Sequence, residues 1–253
     1  MKRPPFVVLI ALCFCTPRHG LFSQTPDVPD WAQPGSATHQ QVPPPANFHR
    51  TSRNLQIPIG AFEGQSDVGG AVVPGSATFN SSTAAYTITS AGYNIWYTRD
   101  EFTYLWRKVT GDVSLATDVS FPNPGGYGDR KAVLVIRQDL DDDSKEAMVA
   151  LHGAGLIHLA ERPEKGANIK EDHRIEAKAG TLAKRLGIEK HGDQFTLYLS
   201  EHGEPMHQVG PSMNLHMEGP FYVGIGFCSH LPATPDTAIL TDVVLEDAAG
   251  KVR

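Results

Sequence analysis

The sequence predicts an all-β protein, a sandwich or barrel of short strands, on three observations. From Ile57 onward short apolar runs are separated by Gly-, Asp- and Asn-bearing turns, the pattern of many short strands at regular spacing. Val113, Leu115, Thr117, Val119 and Phe121 alternate with Ser114, Ala116, Asp118 and Ser120, as a strand with one buried face does. No segment sustains a 3.6-residue apolar period between caps; only residues 176–186 read as a helical turn.

The chain begins with an address. Lys2 and Arg3 precede the apolar run from Phe6 to Cys15, and Thr16, Pro17 and Arg18 stop it, so residues 1–23 are predicted to be a secretory signal peptide. The run is shorter than the roughly 20 residues that cross a bilayer. The expectation is an exported protein, periplasmic or extracellular, with no membrane span after cleavage. Removing Lys2, Arg3 and Arg18 makes the rest more acidic than the full chain's net −6, which argues against a nucleic-acid partner. The remainder keeps one cysteine, Cys228, so no intrachain disulfide can form; within the apolar run 221–228 it reads as an inert core thiol.

Residues 24–56 are rich in Pro, Ser, Thr, Gln and Asn and include Pro43-Pro44-Pro45. Such a stretch buries too little surface to offset its ordering entropy and is predicted to be an extended or disordered linker. Trp31 and Phe48 are its candidate docking residues. Residues 57–253 then form one β domain.

Strands are predicted at 85–89, 102–108, 113–121, 132–138, 146–152, 156–162, 182–190, 194–200, 220–228 and 238–246. Two hairpins can be registered. A two-residue Gly192-Asp193 turn pairs Lys190 with Phe195, Ile188 with Leu197 and Leu186 with Leu199, glycine supplying the positive φ of a tight turn. A three-residue Gly153-Ala154-Gly155 loop pairs His152 with Leu156, Ala150 with His158 and Met148 with Ala160. Val149, Leu151, Ile157 and Leu159 then share the opposite face. A two-residue loop would mix polar and apolar residues on both faces, so the hydrophobic pattern selects the first register.

These stretches carry a resemblance. Val109-Thr110-Gly111-Asp112-Val113, together with Ile188, Lys190, Gly192, Phe195, Tyr198, Ser200 and Gly203, resembles the concanavalin A-like domain of the DUF1349 type. His202 stands where that pattern has Asp, and Met206 where it has Trp. Gly64 to Gly69, Asn94-Ile95-Trp96, Asp100-Glu101-Phe102 and Phe221-Tyr222-Val223-Gly224 resemble an exported bacterial subset in which the domain accompanies a TolB-like propeller. The resemblance implies a two-sheet jelly-roll sandwich with a concave face, and a carbohydrate as its ligand.

On the register of the Gly153-Ala154-Gly155 hairpin, His152, His158 and Arg162 emerge on one face, extended by Arg137 from the neighbouring run. These four are candidate ligand-binding groups for sugar hydroxyls. The segment Asn94 to Glu101 concentrates aromatic and charged residues and offers Trp96 as a stacking platform, with Arg99 or Asp100 as orienter. Trp106 reads as core. Asp139, Asp141 and Asp143, with Asp142 and Glu146, form an acidic loop whose oxygens could hold Ca²⁺, although the EF-hand spacing is absent; no other cofactor is indicated. A jelly-roll glycosidase needs two carboxylates across a cleft, and the Glu-x-Asp…Glu strand motif of laminarinase-like enzymes does not occur. Asp100, Glu101, Glu146 and Glu161 are loose candidates only. No zinc-type His spacing and no Gly-x-Ser-x-Gly elbow is present.

Three functions are expected in this order: a non-catalytic domain binding a glycan or cell-envelope polymer, a glycoside hydrolase or lyase using the same face, and a module docking to an envelope protein.

Overall fold

A computed structural model describes residues 43–45, 47–176 and 185–252. The predicted signal peptide at 1–23 and most of the predicted linker at 24–56 lie outside the described residues. With strands numbered in chain order, the larger sheet has eight, edge to edge: β1 (Arg53–Leu55), β2 (Gly64–Val68), β7 (Phe102–Val109), β16 (Phe221–Cys228), β9 (Lys131–Arg137), β10 (Glu146–His152), β11 (Leu156–Arg162) and β12 (Lys170–Glu176). The smaller has seven: β15 (His207–Asn214), β14 (Gln194–Ser200), β13 (Arg185–His191), β8 (Val113–Ser120), β17 (Asp236–Glu246), β4 (Ala85–Ser90) and β3 (Ser76–Asn80). β5 (Ile95–Trp96) and β6 (Arg99–Asp100) make a separate two-stranded ribbon.

The sheets pack face to face as a jelly-roll sandwich, the all-β class expected. Its core follows from the period-two pattern. Ala132, Leu134 and Ile136 of β9, Ala147, Val149 and Leu151 of β10, and Ile157 and Leu159 of β11 point inward with Val223, Ile225 and Phe227 of β16. They meet Val113, Leu115, Leu186, Ile188, Phe195, Leu197 and Leu240 of the smaller sheet. Both predicted hairpin registers are found: Met148 opposes Ala160 and Ala150 opposes His158, while Lys190 opposes Phe195 and Ile188 opposes Leu197.

The outward face of the larger sheet is the surprise. Instead of lying open it carries a second apolar layer of Val68, Ile95, Phe102, Tyr104, Trp106, Val133, Val135, Met148, Ala150, Ala160, Ile169 and Cys228, all buried. Residues 91–101, the excursion that carries the chain from β4 to β7, fold across it. Ile169 N donates to Tyr97 O (2.9 Å), Glu101 N to Asn94 O (2.7 Å), and Asp100 N to Asp142 O (2.6 Å), which ties the excursion down. Trp106 is buried as expected, in this layer, and its Nε1 donates to Ser66 Oγ at 2.8 Å. Cys228 is also buried here, and burial pushes its thiol up to about 12, matching an inert role.

Two readings need correction. The folded domain starts before Ile57, because β1, inside the expected linker, pairs with β2 (Arg53 opposite Asp67). Phe48 does dock, its ring beneath the Arg99 guanidinium at 4.8 Å. Of the expected helical turn at 176–186, Glu176 closes β12 and Arg185 and Leu186 open β13; residues 177–184 lie outside the described residues.

Candidate functional site

β9, β10 and β11 present one outward row whose two ends have opposite fates. At one end, cross-strand pairing sets Arg137, Glu146 and Arg162 side by side. Arg137 and Arg162 are therefore brought together as predicted, yet neither is available to a ligand. Asp100 descends from the excursion between them: Arg162 Nη2 donates to Asp100 Oδ1 (2.6 Å) and Arg137 Nη1 to Asp100 Oδ2 (2.6 Å). Glu146 completes the quartet, accepting from Arg137 and from Arg162 at 3.4 Å. All four side chains are fully buried. Burial opposes the Asp100 charge, but the two guanidiniums outweigh it and hold its carboxyl below the ordinary range.

Arg99 is likewise consumed. It is buried and its Nε donates to Asp142 Oδ2 (3.2 Å) and its Nη2 to Gly69 O (3.3 Å), with Glu101 at 3.6 Å. The loose catalytic candidates Asp100, Glu101 and Glu146 are thus all engaged by arginines. In the acidic loop, the Lys165 ammonium lies 2.9 Å from Asp139, 2.6 Å from Asp141 and 3.1 Å from Asp143, so a protein cation already stands where Ca²⁺ was expected. Asp142 instead accepts from Arg99 and from Arg50 N (3.2 Å).

The opposite end of the row is open. Lys131 of β9 lies opposite His152 of β10, and His158 follows on β11. With Asn94, Trp96 and Tyr97 from the excursion, Asp129, His230, and Glu171 and Arg174 from β12, they line a cavity of about 300 Å³. That is the lower end of the range for small-molecule sites, roughly 300–1,000 Å³. The floor is buried: His152 is 6% exposed, His158 1% and Lys131 2%. The two imidazoles meet edge to face at 5.1 Å, and Trp96 lies 5.2 Å from His158 at a tilt of 45°.

Among the described residues, none of the four ring nitrogens of His152 and His158 has a hydrogen-bond partner. Their nearest acids stand beyond hydrogen-bond reach, Asp129 at 3.8 Å and Glu171 at 3.6 Å. Burial, with the Lys131 charge beside it, brings His152 down to about 4 and His158 well below the ordinary histidine value. Both are neutral at pH 7, so each offers one N–H donor and one bare acceptor nitrogen. Buried polar atoms are nearly always satisfied; four in one cavity describe a site shaped for a partner with both donors and acceptors.

Of the predicted ligand-binding residues, the cavity gathers His152, His158 and Trp96 and excludes Arg99, Arg137 and Arg162. Lys131 was missed by one residue, though it carries its own signal: Lys131, Val133, Val135 and Arg137 alternate with the core residues Ala132, Leu134 and Ile136. Asp129, His230, Glu171 and Arg174 come from loops and the edge strand and have no such signal.

No family model matches the chain, and no curated protein does. Solved structures do. A functionally unknown protein from Saccharomyces cerevisiae shares 16% identity, with a TM-score of 0.50 over 69% of this chain and 93% of that one. The carbohydrate-binding module CBM66 from Bacillus subtilis shares 15% identity, with a TM-score of 0.47 over 68% of this chain and 92% of the module. A GH131 beta-glucanase catalytic domain from Podospora anserina shares 12%, with a TM-score of 0.42 over 65% of this chain and 72% of the domain. At such identities the likeness concerns the β-sandwich fold alone, and fold alone does not give function.

Proposed function

We propose that this protein is an exported, non-catalytic domain that binds a carbohydrate in the cavity over Lys131, His152 and His158. One observation carries the reading: two buried, neutral imidazoles with no hydrogen-bond partner on any ring nitrogen among the described residues open into one cavity beside an aromatic ring. A sugar hydroxyl both donates and accepts, which matches a neutral imidazole's two faces, and Trp96 offers an apolar plane to the ring's C–H face. Export rests on Lys2, Arg3 and the apolar run that follows them, and the glycan or envelope polymer would be met in the periplasm or outside the cell. The DUF1349-type relationship belongs to this proposal too, supported by Ile188, Lys190, Gly192 and Phe195 in their predicted register.

The test is retention on immobilised polysaccharides, followed by calorimetry on the binding sugar. Trp96→Ala and His158→Ala are each expected to weaken binding at least tenfold. No retention on any polymer at millimolar sensitivity would overturn the reading. A second reading, hydrolase or lyase, is favoured by Asp129 and Glu171 standing beside His152 and His158 on the cavity rim. Reducing-sugar or unsaturated-sugar release that disappears in His152→Ala would establish it in place of the first.

A further inference from the structure

We propose that the sugar unit taken by this cavity is acidic, bearing a carboxylate or a sulfate, and that Lys131 is the residue that selects it; this rests on the carbohydrate reading of the same cavity. The buried arginines are matched by acids: Arg137 and Arg162 by Asp100 and Glu146, Arg99 by Asp142, Arg130 by Asp236; the other buried lysine, Lys190, donates to the carbonyls of Gly111 (3.3 Å) and Gly192 (2.7 Å). Lys131 is as deeply buried, yet among the described residues it has no carboxylate within 4.0 Å. Its ammonium donates to Asn94 Oδ1 at 2.8 Å and lies 5.7 Å from the Trp96 ring centroid. An ammonium has three N–H donors, and this is the one hydrogen bond it makes among the described residues.

The comparison within β9 is direct. Arg137 and Lys131 lie on the same outward face of one strand, at opposite ends of it. The excursion delivers Asp100 to Arg137 and closes that end; at the Lys131 end it delivers Asn94, Trp96 and Tyr97, none of them an anion, and leaves a cavity. The rim acids Asp129 and Glu171 stand beside the two histidines, and Glu171 is within 3.9 Å of Arg174 as well. An anionic substituent entering past Trp96 would meet an ammonium on which Asp129 and Asp100 act only from beyond ion-pair distance, and each neutral imidazole could donate an N–H to it or to a neighbouring hydroxyl. Burial has already brought Lys131 down to about 8, outweighing the more distant charges of Asp129 and Asp100. A neutral sugar would leave that charge unmatched.

Calorimetry on the full chain tests this with galacturonate, glucuronate and galactose 6-sulfate against galactose and glucose. At least one acidic sugar is expected to bind ten times or more tightly than its neutral parent, and the carboxylate and sulfate arms tell which anion is preferred. Lys131→Met should bring that ratio to within threefold. Lys165→Gln, which removes a cation outside the cavity, should keep the preference. Removing an uncompensated buried charge does not threaten the fold, and the acid-to-neutral ratio of the unmodified protein is a reading independent of any variant. If the neutral parents bind as tightly as the acids, or if Lys131→Met retains the preference, this inference falls and the carbohydrate reading stands. If neither class binds, both fall.

Discussion

His152 shows at the scale of one residue how the site taxes the fold. Its imidazole titrates near 6.5 in an unfolded chain and at about 4 in the folded one, because burial and Lys131 disfavour the cation. Between those values the unfolded chain binds more protons, so stability is complete above pH 6.5 and is lost as pH falls through that window. The loss from His152 is on the order of 3 kcal/mol, and His158 adds in the same direction. Urea denaturation at pH 7, 6, 5 and 4.5 should show the decline, and His152→Asn should flatten it; an unchanged slope in that variant would contradict the assigned burial. The same residue was legible in the sequence, since Val149, Leu151, Ile157 and Leu159 admit only one hairpin register and that register turns His152 and His158 outward together. Arg137 and Arg162 were placed on that same face correctly and given the wrong role. Alternation tells which way a side chain points; it does not tell which distant segment will cover it, and Asp100 arrives from 37 positions before Arg137 in the chain.

Among the elements, β16 explains how a second apolar layer fits on a sheet. Its inward residues Phe221, Val223, Ile225 and Phe227 fill the core, while outward Gly224 and Gly226 lie opposite Trp106 and Tyr104 of β7. A methyl on Gly224 would sit 1.8 Å from the Leu105 carbonyl oxygen, forcing β7 and β16 apart. Gly224→Ala is expected to cost about 3 kcal/mol or more. Gly192 is the contrast: at φ +57° in its turn, a methyl there meets no atom within 4 Å, so Gly192→Ala carries only the left-handed backbone penalty of about 1 kcal/mol. Chemical denaturation of the two variants should separate them, and equal losses would mean that the strand spacing adapts. Strands with strong alternation, β8 to β11 among them, were readable one by one. β1, β3, β12 and β15 were not, because edge strands such as Lys170–Glu176 are largely exposed and lack an apolar row to announce them.

For the whole molecule, the excursion over residues 91–101 joins two functions in eleven positions, supplying Asp100 to the quartet and Asn94, Trp96 and Tyr97 to the cavity. Asp100→Asn leaves Arg137 and Arg162 facing Glu146 alone, and breaking a buried ion network of this kind costs about 3–5 kcal/mol. The variant is expected to unfold at lower denaturant and also to bind the proposed sugar more weakly, although Asp100 does not line the cavity. Melting and calorimetry on the same sample check this, and a destabilised variant with undiminished affinity would show the two ends to be independent.

A practical asymmetry follows for anyone wishing to retune what this protein recognises. One wall of the cleft hangs from the same short ribbon that anchors the molecule, so alterations at Trp96 or Tyr97 put the scaffold at risk. The facing wall belongs to a border strand whose Glu171 and Arg174 are partly or largely exposed, and that is where new selectivity can be written with the least disturbance beneath it.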